Sequence, residues 1–300
     1  MNRPDKPLVA VLLATSNAAL WLRAQLDSIA RQRDVRTITY ASDDHSSDST
    51  VADLTTPVAG LELHLLPVLP HRLGSANRNF LRLIHDCPID TAQYFALADH
   101  DDIWLPDKLR RAIDQLTLTR ADAYSSNVTA FWADGRQKLI VKSDPQRRFD
   151  HLFESAGPGC TFVYPRATFL RLQDWVRNEF ANLQSIKVHD WLIYAHARHQ
   201  GWRWHIDIES QLLYRQHALN QIGATTGAEA ARRRWRQMRS GNYRRDILAI
   251  GRAIGDDSTV MQALSRFGWA DRFHLVALAS QCRRRRVERW LLKLFFLLMP

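Results

Sequence analysis

Cysteine is scarce in this chain of 300 residues, with three in all, Cys87, Cys160 and Cys282, odd in number and far apart. That usage offers neither a disulfide framework nor a zinc site, and it fits a reducing cytosol. Long apolar runs are lacking as well. Nothing approaches the ~20 uninterrupted apolar residues that a spanning helix needs, and Met1 to Pro7 is polar, without the apolar core of a secretion signal. Internal repeats, low-complexity linkers and recognised nucleic-acid-binding modules are absent. What remains is a globular composition, 46% apolar and 24% charged, large enough for one big domain or a domain with an appendage.

Charge is distributed unevenly. Residues 226–300 hold 15 arginines and one lysine against six acidic residues, an excess of ten that equals the net charge of the whole chain, so residues 1–225 are electroneutral. A neutral body with a basic tail suits anionic lipid or nucleic acid as the tail's partner. Within the tail, Arg232, Arg233, Arg234, Arg236 and Arg239 surround Trp235 and Met238, and Arg283 to Arg286 run into the apolar stretch Trp290 to Met299. The segment 283–299 is too short and interrupted to span a bilayer. It suits a helix lying at a membrane surface, or one docked on the body.

Apolar, β-branched runs at Leu8 to Ala14, Thr37 to Ala41, Leu61 to Leu66 and Tyr94 to Ala98 read as strands. Helical patterns follow them at Ala18 to Ala30, Ser49 to Leu54, Asn77 to Asp86 and Lys108 to Leu118. This alternation predicts an α/β fold with a parallel sheet, whose polar strand ends, at Ser16, Asp43 and Asp99, share one edge. In the second half, Ala123 to Phe131, Leu139 to Lys142 and Phe162 to Tyr164 read as strands. Ala167 to Trp175 and the segment after Val188 read as helices, with Asp190 in the first turn, where a helix dipole favours a carboxylate.

The strand Tyr94 to Ala98 ends in three carboxylates, Asp99, Asp101 and Asp102. Crowded anions repel unless a cation or hydrogen-bond donors absorb the charge. Carboxylates completed by substrate phosphates and water are the usual holders of Mg²⁺, and ligands of open α/β sheets bind beyond the carboxyl ends of the strands. A solvated turn, with Asp107 capping the next helix, is the plainer alternative.

Five blocks in order carry a resemblance. Ser42 to Thr50 is similar to the Asp-Asp-x-Ser-x-Asp-x-Thr signature of family 2 nucleotide-sugar glycosyltransferases, and Ala98 to Leu109 resembles the Asp-x-Asp-Asp-Ile-Trp-x-Pro-x-Lys-Leu form of their rhamnosyltransferase-like members. Gly159-Cys160-Thr161, His189-Asp190-Trp191 and Tyr214 to Asn220 with Gly223-Ala224 match later blocks. His100 stands where Gln is commoner, and His45 where Gly is frequent. The resemblance spans about residues 8 to 225. It implies a GT-A fold, Rossmann-like with a mostly parallel central sheet flanked by helices, over residues 1–225; beyond it, charge and helical patterning read as a basic helical region over 226–300. It also implies a nucleotide-diphosphate sugar donor, a divalent metal (Mg²⁺ or Mn²⁺) and inversion at the anomeric carbon.

Carried onto this chain, the resemblance gives Ser16 and Asp43 to the nucleoside, Asp99 to the ribose or sugar, and Asp101 to the metal as principal ligand. Asp102 is either a second ligand or an orienting residue. Arg78 would approach the diphosphate, or is an ordinary helix-surface arginine. Asp190 matches the general base, Arg215 and His217 would reach the diphosphate and metal, and Gly159, Cys160, Thr161 and Trp191 fall in the acceptor region. L-rhamnose from dTDP-rhamnose is the first expectation for the donor and a UDP-hexose the second. The acceptor would be a glycan or lipid-linked saccharide of bacterial surface polysaccharide, met in the cytoplasm or at the inner face of the membrane. A metal-dependent nucleotidyltransferase or nucleotide-sugar hydrolase, and a basic nucleic-acid-binding protein, are the competing expectations.

Overall fold

A computed structural model describes residues 6–89, 91–217 and 241–298. The arginine-rich stretch 232–239, the end of the block that begins at Tyr214, and the boundary expected at residue 225 lie outside the described residues. The chain forms two compact units: Met1–Lys142 with Gly157–His189 and Trp202–Asn220, and Ser143–Ala156 with Asp190–Gly201 and Gln221–Pro300.

The first unit is built on a seven-stranded sheet. Strand β1 (Leu8–Thr15) lies between β2 (Arg36–Asp43) and β4 (Tyr94–Asp99), parallel to both, and β2 continues to β3 (Glu62–Leu65). Val9 to Ala14 are buried without a break, as expected of a strand covered on both faces. Helices α1 (Leu22–Ala30), α2 (Thr50–Thr55), α3 (Ala76–Asp86) and α4 (Lys108–Thr119) follow the strands in turn, with a short β5 (Ile103–Trp104) before the last. Ser75 caps α3 by accepting from the backbone N–H of Arg78, and Phe80, Leu81, Leu83 and Ile84 form the buried side of that helix.

Beyond α4 the structure departs from the sequence expectation in an instructive way. The run Ala123 to Phe131 divides at Asn127 into β6 (Ala123–Ser126) and β7 (Val128–Phe131), which join different sheets. Asn127 holds the break: its N–H donates to the carbonyl of Asp207 (3.0 Å), its Nδ2 to that of Ile208 (2.7 Å), and its Oδ1 accepts from Lys142 N (2.6 Å). Strand β7 pairs with β8 (Gln137–Ile140) and β11 (Leu212–Arg215), and β11 with β5, giving a second sheet ordered β5-β11-β7-β8. In the main sheet β9 (Val163–Pro165) runs antiparallel between β4 and β6, and β10 (Trp204–Asp207) closes the edge. Helix α5 (Arg166–Leu183) continues eight residues past its expected end at Trp175, because no Gly or Pro stops it and Val176 and Leu183 extend its buried face.

The second unit is helical in its described residues. Most of α6 (His189–His199), α7 (Asn242–Ala253), α8 (Thr259–Arg266), α9 (Trp269–Cys282) and α10 (Arg286–Leu298) belong to it, with a short turn of 3₁₀ helix at Asp150–Leu152. The arginine run before α10 is divided between interior and surface. Arg284 is buried, giving its N–H and guanidinium to Glu154 (2.7 and 3.1 Å), with Asp150 at 3.6 Å. Arg283 donates to the carbonyl of Phe153 (2.9 Å) and pairs with Glu288 (3.5 Å). Two of the four arginines therefore hold the unit together. All three cysteines are free and buried.

Candidate active site

The strand register assembles one edge. Thr15 is level with Asp43, and Ala14 with Asp99, so the carboxylates ending β2 and β4 flank the end of β1. Asp43 accepts from Thr15 Oγ1 (2.9 Å), Ser46 Oγ (2.6 Å) and Ser46 N (2.8 Å), which fixes the turn that follows. His45 takes a left-handed φ of 53° in that turn, the conformation that makes glycine frequent at this place. Asp48 accepts from Thr50 N (3.0 Å) and Ala19 N (3.2 Å), tying the turn to the start of α1. Ser16 Oγ meets Arg72 (3.3 Å), and Arg72 lies 3.8 Å from the buried Asp44. The sequence reading passed over Arg72. Arg78, its expected counterpart, donates instead to the carbonyls of Gln184 and Leu73, both at 3.1 Å.

The acidic triplet is closed by β11. Arg215 donates its N–H to Asp102 Oδ1 (3.2 Å) and its Nε to the carbonyl of Asp101 (2.8 Å), with its guanidinium 4.6 Å over the Phe131 ring. Two residues on, His217 Nε2 is 2.8 Å from Asp101 Oδ2, and its ring stacks on Trp21 at 4.0 Å. Residues 101 and 102 thus meet 215 and 217, from which they are more than a hundred positions distant in the chain. Trp21 is the member of this group that sequence reasoning missed, since its spacing reads as the start of a helix.

Beneath the triplet the surroundings are dry. Asp102 is fully buried, and burial first, then the charges of Asp101 and Asp99, push its carboxyl well above the usual range. Its Oδ2 has no hydrogen-bond partner. Lys108 is buried beside it, its Nζ likewise without a hydrogen-bond partner and 3.6 Å over the Trp104 ring. Burial lowers this amine to about 8, against the opposing pull of Cys160 and Asp102. Asp99, Asp102 and Cys160 each bring one potential ligand atom within 4.8 Å of the others. Burial, with the charges of Asp102 and Asp99, raises the Cys160 thiol well above its ordinary value, so it stays protonated and is a poor partner for a hard cation. The carboxylates of Asp101 and Asp102, with the buried Oδ2 of Asp102 and the imidazole at Asp101, do fit a divalent cation.

The remaining expected residues lie as follows. Gly159 and Thr161 sit in a 3₁₀ turn against β4, Thr161 Oγ1 donating to the carbonyl of Pro158 (2.7 Å), and Cys160 is the buried thiol already described. Asp190 is in the first turn of α6 and accepts from the N–H of Trp191 (2.6 Å). Trp191 is a packed residue of the helical unit: buried, its indole N–H donates to the carbonyl of His151 (2.9 Å), and its ring lies 5.9 Å from that of Tyr243.

A mostly parallel α/β sheet with acidic residues at the carboxyl ends of its strands has the architecture of the GT-A fold, and known structures agree. The Staphylococcus aureus protein TarS, residues 1–349 in complex with UDP-GlcNAc, matches with a TM-score of 0.59 over 94% of this chain and 78% of its own, at 13% identity. A second crystal structure of TarS residues 1–349 matches with a TM-score of 0.55 over 96% of this chain and 79% of its own, at 14% identity. No protein-family model matches the sequence. The dTDP-rhamnosyl transferase RfbG of Shigella flexneri is 36% identical over 292 residues, covering 96% of this chain and 98% of that protein. The chain therefore belongs to the rhamnosyltransferase-like, family 2 nucleotide-sugar glycosyltransferases.

Proposed function

We propose that this chain transfers a sugar, with inversion at the anomeric carbon, from a nucleoside diphosphate to a hydroxyl of a glycan or lipid-linked saccharide, in surface-polysaccharide assembly at the cytosolic face of the membrane. L-rhamnose from dTDP-rhamnose is the favoured donor, because the Shigella relative carries that name and matches almost the full length of both chains. The observation that carries the proposal is the meeting of Asp101 with His217 at 2.8 Å, beside Asp99 and Asp102 at the carboxyl edge of the sheet.

Ser16 and Asp43 take the nucleoside in this reading, and Asp99 the ribose or sugar. Asp101, Asp102 and His217 would hold Mg²⁺ or Mn²⁺, which supplies positive charge to the diphosphate oxygens. Arg215, pinned to the backbone of Asp101, adds a fixed guanidinium charge for the leaving diphosphate. Asp190 is the base. A sugar hydroxyl is a weak nucleophile, and a carboxylate that takes its proton during attack makes one displacement sufficient, without a covalent intermediate.

Calorimetric titration of dTDP-rhamnose with and without Mn²⁺ tests the assignment. Binding is expected to need the cation, to weaken at least tenfold in Asp101→Ala and His217→Ala, and to persist in Asp190→Asn. Equal binding by all four proteins, with or without Mn²⁺, would remove these residues from the donor site.

A further inference from the structure

Helices α9 and α10 leave an apolar surface that their own unit does not use. Leu275, Ala279 and Cys282 of α9, and Leu292, Phe295 and Phe296 of α10, are buried. Phe295 and Phe296 lie against the rings of Tyr243 (5.3 Å) and Phe153 (6.0 Å). The opposite side of α10 is equally apolar: Val287, Trp290, Leu294 and Leu298 recur at three- and four-residue spacing, all exposed, with Trp290 at 69%. Helix α9 adds Trp269 (69% exposed) and Phe273 (63%), one turn apart. Arg272 donates to the carbonyl of Leu297 (3.3 Å), which sets the first turn of α9 beside the last turn of α10. Trp269 and Phe273, on that first turn, therefore lie at the same end of the helical pair as Leu294 and Leu298. Six large apolar side chains so gathered exceed the scatter of single exposed residues normal on a soluble surface.

We propose that this face seats the chain on an anionic phospholipid bilayer, with α10 lying in the plane of the interface. Length excludes spanning: thirteen residues rise about 20 Å against a hydrocarbon core of about 30 Å, and no described helix is long and apolar enough to cross a membrane. The flanking charge selects the lipid. Residues 241–298 hold eleven Arg or Lys against five Asp or Glu. Arg285 and Arg286 are exposed where α10 begins, and Lys293 reaches 4.6 Å over the ring of Trp290. The one acidic residue of α10, Glu288, turns inward to Arg283. A second copy of the chain on this face would set two positively charged units against each other, whereas anionic headgroups neutralise that charge while the tryptophans settle at headgroup depth. The surface extends the basic terminal helix read from sequence by adding α9, and it does not depend on the identity of the donor sugar.

Flotation of the full-length protein with vesicles of phosphatidylcholine containing 30% phosphatidylglycerol, against pure phosphatidylcholine, tests the proposal. Flotation is expected with the anionic vesicles, to fall about tenfold or more in Trp290→Glu/Leu294→Glu and in Trp269→Glu/Phe273→Glu, and to become salt-insensitive and weaker in Arg285→Gln/Arg286→Gln. Unmodified protein should show tryptophan quenching by brominated lipid, a readout that needs no variant to fold. Absence of that quenching overturns the proposal. So does flotation unchanged in both apolar double variants, or a dimer that Trp290→Glu/Leu294→Glu converts to monomer while the wild type ignores vesicles.

Discussion

The imidazole of His189 occupies the place where a side chain on Gly159 would begin: a Cβ built there falls 2.2 Å from His189 Nε2. The same ring stacks on Phe80 at 4.1 Å, so it cannot move aside without losing that contact. His189 is also the residue before Asp190, the proposed base. Gly159→Ala should therefore cost about 1–3 kcal/mol of stability by overpacking and lower turnover. His189→Ala in the same chain should recover part of the stability, a less-than-additive cycle read by denaturant melts.

Acid should weaken the fold through its buried histidines. Burial lowers His189 and His196 to about 3 and His151 to about 4, the last helped by the charge of Arg198. Below the ordinary value of about 6.5 the unfolded chain takes protons that these rings refuse. Their contribution is whole above pH 6.5 and is lost as pH falls toward 4 and then 3. Wild-type stability measured against His189→Gln should decline by up to about 1.4 kcal/mol for each pH unit below 6.5, whereas a difference independent of pH would mean that the ring is already charged in the folded protein.

On the alkaline side Lys108 acts in the same direction. Its amine, lowered by burial to about 8 in the fold, stays protonated to about 10.4 when unfolded. The folded state releases its proton first, so stability rises between those two values. Relative to Lys108→Met, the wild type should gain up to about 3 kcal/mol from pH 8 to pH 10.5. Urea melts across that range measure it, and a flat difference would place the amine in water.

Neighbouring arginines should behave very differently. Arg284 is buried between Glu154 and Asp150, and Arg284→Ala removes one charged partner from each while Asp150 keeps Arg198 (3.1 Å) and Glu154 keeps Arg283 (3.9 Å), so it should cost about 1.5–3 kcal/mol. Arg285 is half exposed, paired with Asp144 at 3.4 Å, and Arg285→Ala should change stability by no more than about 0.5–1 kcal/mol. Comparable losses in both would mean that the run acts as one surface cluster.

These contrasts show what a sequence can carry. Strands β1 and β4 announce themselves because a strand buried on both faces is apolar nearly throughout and ends where polar residues begin, which also marks Asp99, whereas β2, exposed at Arg36 and partly at Tyr40, shows through its β-branched residues and the polar block that holds Asp43. The split at Asn127 is invisible, because no Gly or Pro marks a break between Ala123 and Phe131 and the serines of β6 are buried, as apolar residues of β7 are. Strand β10, Trp204-His205-Ile206-Asp207, has no apolar run to reveal it; its place is fixed by pairing with β6. Arg72, Trp21 and Lys108 were missed for a related reason, since each looks like an ordinary loop or helix residue until folding brings it to Ser16, His217 and Trp104. Arg283 and Arg284, conversely, look like solvated charge and are bonded to the interior.

The central claim, acceptor-dependent sugar transfer with Asp190 as base, is met most directly by product analysis. Purified protein, dTDP-rhamnose, Mn²⁺ and a lipid-linked saccharide acceptor should release dTDP and form one glycosidic bond of anomeric configuration opposite to the donor's, as read by NMR of the product. Asp190→Asn should form none. Release of free sugar without an acceptor, retention of configuration, or undiminished transfer by Asp190→Asn would contradict it.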